Sequence, residues 1–178
     1  MQLMFMGLAQ AQLTSNPVLI DFDDTQITRR QFEHEFETAM VMKALETGVP
    51  IKNQDQISVM EHRFLEQRAK ELVLLKLAGQ RGIQVSEQRL DEILNEYMQF
   101  LGYSGYSEKN LHRLGFFDAA EFRNNLRDKH IILLFLSEVK KDLGQGENQQ
   151  AVIDKIEEYY NDSGVRIYPE NIDIPYLK

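Results

Sequence analysis

The chain has 178 residues, long enough for one domain with a proper core and a small appendage. Hydrophobic residues make up 43% and charged residues 27%, ordinary globular values that argue against wholesale disorder. A net charge of −8 with no Lys/Arg cluster argues against nucleic acid or anionic lipid as a general partner, and the lack of cysteine excludes disulfides, thiol catalysis, cysteine-ligated zinc and a lipoprotein anchor.

The first residues, MQLMFMGLAQAQ, carry a short apolar run from Leu3 to Leu8 followed by Ala9-Gln10-Ala11, the small-x-small pattern of a secretory cleavage site. A basic n-region is missing, and the run is shorter than the usual h-region of about 7–15 residues. A signal-peptide remnant over residues 1–11, cleaved before Gln12, and an N-terminal helical turn both fit. No other stretch approaches transmembrane length, so no integral membrane segment is expected.

Val18 to Phe22 (VLIDF), Asp23-Asp24 and then Gln26-Ile27 read as strand, tight turn and second short strand. Thr28 is placed to cap a helix from Arg29 to about Glu46 with Phe32, Phe36, Ala39 and Met40 inward, stopped by Gly48 and Pro50. A polar loop through Asp55 leads to a long helix, about Gln56 to Gly79, with Leu65, Ala69 and Leu72 on one face. Gly82 to Val85 connects it to a helix capped by Ser86, in which Leu90, Leu94, Tyr97 and Leu101 recur at i, i+4, i+7 and i+11. After a Tyr/Gly/Ser loop, Ser107 caps a short helix ending near Gly115.

Phe116 to Gly144 holds the most apolar helix pattern. Asp118 and Glu121 form a capping-box pair, and Gly144 stands where a left-handed terminator is wanted, after Lys140 and Lys141. Ile132, Leu136, Val139 and Leu143 make one stripe, while Ile131, Leu134 and Phe135 cover a second side. Burying Ile131 to Leu136 contributes about 10 kcal/mol before entropy is subtracted, which marks this as the core helix. Gly144 to Gln150 is a polar hinge, and a further helix from Ala151 to Tyr160 turns Val152, Ile153 and Ile156 inward. Val165 to Tyr168 alternates like a half-buried strand, Pro169 stops it, and the tail IDIPYLK reads as irregular.

Strands at opposite ends of a helical chain need partners, because lone strands leave backbone groups unpaired. The economical answer is that Val18–Phe22 pairs with Val165–Tyr168. The fold class is therefore mainly α, a multi-helix bundle with a small β-pairing of its N- and C-terminal strands. Made between two copies, the same pairing gives a domain-swapped homodimer.

The order of these elements resembles the N-terminal domain of SurA-type periplasmic chaperones, a group that includes PrsA-like and trigger-factor-like proteins. VLIDFDDTQITRRQFE (18–33) is similar to that family's V-x-x-V-N-G-x-x-I-T-x-x-x-F, with Asp23-Asp24 in place of Asn-Gly. LVLLKLAGQRGIQVSEQRLDEIL (72–94) is similar to L-I-x-x-x-L-x-x-x-A-x-x-x-G-I-x-V-S-D, and LGFFDAAEFRNNLR (114–127) to G-x-x-x-x-x-F-R-x-x-L. The resemblance implies a helical chaperone domain over residues 12–143, completed by a closing helix and strand over 151–178. In that family a parvulin prolyl-isomerase domain commonly sits where this chain has only residues 144–150, far below the roughly 50 residues an independent domain needs. His34, His62, His112 and His130 lie on four different segments, so isomerase activity is not expected.

No G-x-x-x-x-G-K-[ST], G-x-G-x-x-G or G-x-S-x-G pattern is present, adjacent carboxylates such as Asp91/Glu92 diverge around a helix, and no two histidines stand at i, i+4. Neither a cofactor, a metal nor a catalytic residue is expected. Phe100, Tyr103, Tyr106, Phe116 and Phe117 gather around the short helix, and Met40, Met42, Met60 and Met98 sit on helix faces, residue types suited to a surface that accepts many apolar sequences. Residue by residue, plain core filling is the better explanation, and only the resemblance lifts a client-binding groove above it. The resemblance implies an ATP-independent periplasmic chaperone whose partners are unfolded envelope or outer-membrane polypeptides. Its candidate client-binding residues are Phe64, Leu72, Leu75, Tyr97, Leu101, Tyr103, Phe116, Phe117, Leu134 and Phe135. A structural subunit with one fixed partner is the alternative from another class, and a SurA-like isomerase a third.

Overall fold

The computed structural model describes residues 16–49, 54–103, 107–144 and 148–172. Expectations placed on residues 1–11, Pro50, Tyr106, the middle of the 144–150 hinge and residues 173–178 lie outside the described residues.

An antiparallel hairpin opens the chain, β1 (Val18–Phe22) and β2 (Thr25–Thr28), turning through Asp23-Asp24. Asp23 takes the bend at φ 51°, a left-handed conformation that a short polar side chain tolerates better than most. Helix α1 (Arg29–Thr47) starts at once: the Gln31 side-chain oxygen accepts from the Thr28 N–H at 3.0 Å and from its hydroxyl at 2.9 Å. Helices α2 (Gln54–Gln80), α3 (Glu87–Phe100), α4 (Glu108–Arg113), α5 (Ala119–Leu143) and α6 (Gln149–Asp162) follow, then β3 (Arg166–Ile167) and a 3₁₀ turn, Pro169–Ile172. Ser86, Ser107, Asp118 and Asn148 cap α3 to α6, each accepting the backbone N–H three residues on. The molecule is mainly helical with a small three-stranded antiparallel sheet. No helix among the described residues is long and apolar enough to cross a membrane.

The sheet order is β2-β1-β3, so the two ends of the chain meet on β1. Ile20 pairs with Ile167 and Asp21 with Arg166. Beyond the ladder, the Tyr168 N–H donates to the Leu19 carbonyl at 2.9 Å and the Asn171 amide to the Val18 carbonyl at 2.8 Å.

Three apolar clusters make the interior. The sheet cluster gathers Leu19, Ile20, Phe32, Phe36, Leu65 and Ala69. A second joins Met42 of α1 to Leu90, Leu94 and Met98 of α3, Leu111 of α4, and Phe122 and Leu126 of α5. The third sets Leu74 and Ala78 of α2 against Phe135 and Val139 of α5, with Ile156 and Tyr159 of α6 alongside. Each long helix thus serves two clusters.

Several expectations need correction. Six consecutive residues circle a helix, so only those facing a neighbour are covered; from Ile131 to Leu136 only Phe135 is fully buried, and Leu133 is 61% exposed. The 10 kcal/mol estimate is therefore too large, and α5 shares the core with α1 and α2. Gly144 ends α5 at φ 104°, ψ 163°, outside the left-handed region, and Glu121 returns its carboxylate to the Phe117 N–H at 2.7 Å rather than to that of Asp118. Helix α6 begins at Gln149, two residues early, and its Ile153 points outward while Tyr159 and Tyr160 pack inward. The last strand is only Arg166–Ile167, and Ile172, placed by sequence in an irregular tail, is a buried member of the sheet cluster. Met42 and Met98 are core residues.

Replacing Phe135 by Ala should lower the unfolding free energy by about 3–5 kcal/mol, the cost of a large cavity under a fully buried ring. Replacing the neighbouring, partly exposed Leu134 by Asp should change it by only about 1 kcal/mol or less. Urea unfolding followed by circular dichroism checks both.

Candidate functional site

Where α1, α2 and α5 diverge toward their different clusters, they leave a cleft of about 530 Å³. Its apolar walls are Phe36, Met40 and Met42 from α1, Met60 and Phe64 from α2, Ile132 from α5, and Phe116 from the α4–α5 link. The rings of Phe32, Phe36 and Phe64 pack with centroids 5.5–6.1 Å apart, which stiffens one wall. Methionine supplies most of the rest, and its unbranched thioether adapts to differing shapes.

A close approach sets Phe116. The Thr38 hydroxyl, on a buried residue, donates to the Gly115 carbonyl at 2.9 Å, and a Cβ on Gly115 would stand 3.0 Å from the Thr38 Cα. With φ at 91° as well, only glycine lets the link cross α1 there. At the same end, His34 of α1 meets Glu121 of α5 at 2.5 Å and stacks on the Phe117 ring at 3.8 Å between centroids.

The cleft is also charged. Arg68 reaches Glu35 through Nε at 2.7 Å and Nη2 at 3.5 Å, and Glu71 through Nη1 at 3.5 Å. Burial disfavours its charge, but Glu35, with Glu71 and Asp128, more than offsets that, and the guanidinium stays cationic with a raised pKa. Asp128, half-buried on α5, accepts no hydrogen bond among the described residues. Burial pushes its carboxyl above the ordinary aspartate range, against the pull of Arg68 and Arg127, with Glu71 and Glu35 adding to the rise. Lys43, Arg63 and Lys129 stand exposed on the rim. Among the described residues no group of three or more His, Asp or Glu is placed to hold a metal ion.

Of the candidate residues read from sequence, Phe64 and Phe116 line this cleft. The others are dispersed. Leu72 packs on the sheet cluster, and Leu75 is half-buried elsewhere on α2. Tyr97, Leu101 and Tyr103 flank the α3 cluster, with the Tyr97 hydroxyl donating to Glu46 at 3.1 Å. Phe117 is 70% exposed and Leu134 39% exposed. Phe135 is sealed in the core against Tyr159, under the Arg81 guanidinium. The methionines were the better signal: Met40, Met42 and Met60 all line the cleft. Glu35, Arg68 and Asp128 gave no sign in the sequence, because charges on three separate helices meet only through packing. No family model matches this chain, and no curated protein matches it.

A carboxyl raised in the fold above the free value of 3.8 holds more protons folded than unfolded between those two points. Its contribution to stability therefore falls as pH rises through that window, and at neutral pH the ionised group is a net cost. Asp128→Asn should melt about 1–2 °C higher than the parent at pH 7, with the difference closing near ~pH 4. Thermal scans across pH measure this.

Proposed function

We propose that this chain is an ATP-independent periplasmic chaperone of SurA type, without an isomerase domain, that holds extended segments of unfolded envelope or outer-membrane polypeptides in the α1–α2–α5 cleft. The observation that carries this reading is the cleft itself: about 530 Å³, walled by Met40, Met42, Met60, Phe36, Phe64 and Phe116. That volume lies within the range of roughly 300–1,000 Å³ usual for ligand sites. Flexible methionine beside rigid phenylalanine suits guests that share apolar character and no single shape. Binding is modest per segment, since ordering a flexible guest offsets much of what its burial contributes.

The order of hairpin, helices and closing strand that prompted the SurA-type resemblance is compatible with this role. Exchange of α6 and β3 between two copies is the homodimeric form of the proposal, and it would reuse the same Ile20–Ile167 pairing. A fixed-partner subunit is the second reading, supported by Val41, Leu45 and Val49, which stand exposed at fourfold spacing along and just past α1.

Ala39 lines the cleft from α1 and is half-buried, so Ala39→Trp fills the space without removing core contacts. The variant should keep parental helicity and lose at least about fivefold of the capacity to suppress aggregation of an outer-membrane β-barrel polypeptide diluted from urea, equivalent to about 1 kcal/mol of binding. Undiminished suppression by a folded Ala39→Trp variant would sink the cleft as the holding site.

A further inference from the structure

The half-buried charges of the cleft are not balanced. One half-buried cation of the lining, Arg68, stands against four half-buried carboxylates: Arg68 engages Glu35 and Glu71, His34 meets Glu121, and Asp128 is the fourth. Asp128 lies on the α5 wall with Arg68 and Glu71 facing it from α2, Glu35 from α1 and Arg127 on its own helix, and among the described residues no cation comes within ion-pair distance. The rim cations Lys43, Arg63 and Lys129 remain exposed to water. A half-buried carboxylate without a hydrogen-bond donor is a poor end state for a folded chain, and a bound cation would relieve it.

We propose, building on the holder reading, that Asp128 sets the client class: the cleft takes a lysine or arginine side chain flanked by apolar residues. The apolar walls accept the methylene stem, as such surfaces do for long basic side chains, while the charged head meets Asp128. Below the exposed rim cations an acidic guest side chain finds no half-buried cation at liberty, because Arg68 already holds Glu35 through two nitrogens, and it meets four carboxylates instead. The overall charge of −8 acts in the same direction by drawing basic segments toward the molecule. Asp128 is thus a specificity-determining residue, and the depth of its preference depends on its ionisation. The burial that raises its pKa makes the preference fade at a higher pH than an exposed aspartate would allow.

The test uses the full chain and three fluorescein-labelled unstructured decapeptides, identical except at a central position between phenylalanine and leucine, which is lysine, norleucine or glutamate. Fluorescence anisotropy should give lysine about tenfold tighter binding than norleucine, and glutamate the weakest. In Asp128→Asn the lysine and norleucine peptides should bind within about twofold of each other, with norleucine affinity unchanged. In Asp128→Lys the order of lysine and glutamate should reverse, and circular dichroism on both variants establishes that they are folded. Equal binding of lysine and norleucine to the parent, or a lysine preference that survives Asp128→Asn, overturns the proposal and leaves the holder reading standing. No binding of any of the three to the parent overturns both.

Discussion

The constraint on which this fold depends is that three apolar clusters are held by three long helices, each committed to two of them. Helix α1 gives Phe32 and Phe36 to the sheet cluster and Met42 to the α3 cluster. Helix α2 gives Leu65 and Ala69 to the sheet and Leu74 and Ala78 to the third cluster, while α5 divides Phe122 and Leu126 from Phe135 and Val139. Side chains at close-packed density cannot point two ways at once. A helix that serves both ends must therefore change its facing partner midway, and the three changes of partner enclose a space that none of the helices fills.

That space is the cleft, and its lining follows from its origin. The cleft lies where the margins of the three clusters meet, so its lining takes Phe36, Met42 and Phe116 from cluster edges together with adaptable methionines and charges that keep some access to water. Arg68, Glu35, Glu71 and Asp128 keep α1, α2 and α5 from collapsing onto one another, since closing over them would remove their remaining hydration. A fully apolar lining would favour collapse. Asp128, whose ionised form costs stability, is thus one of the residues that keep the cleft open.

The termini complete the arrangement. With β3 only two residues long, the ladder alone is a weak tie, and much of the closure comes from Ile172 in the sheet cluster and from Asn171 bonded to the Val18 carbonyl. The last described turn thus acts as a plug on the first strand, joining positions 153 residues apart in the chain. Near its C-terminal end helix α6 is held on two sides, by Tyr159 in the third cluster and Tyr160 against the sheet.

By itself the sequence determined what depends on neighbours within a few residues. The caps at Thr28, Ser86, Ser107 and Asp118, the hairpin at Asp23-Asp24 and the helix order were legible because each is set by local hydrogen bonding and periodicity, and the pairing of the two terminal strands because each lacked any other partner for its backbone groups. Of the site, the methionines and two phenylalanines were legible as residue types. Tertiary structure alone decided which apolar residues are covered: it sealed Phe135, left Leu133 and Phe117 in water, and drew Ile172 from an apparent tail into the core. It also decided that Glu35, Arg68 and Asp128 share one cleft. Periodicity fixes the azimuth of a side chain on its own helix, whereas burial and charge pairing depend on where other helices cross it, and those crossings exist only once the chain has packed.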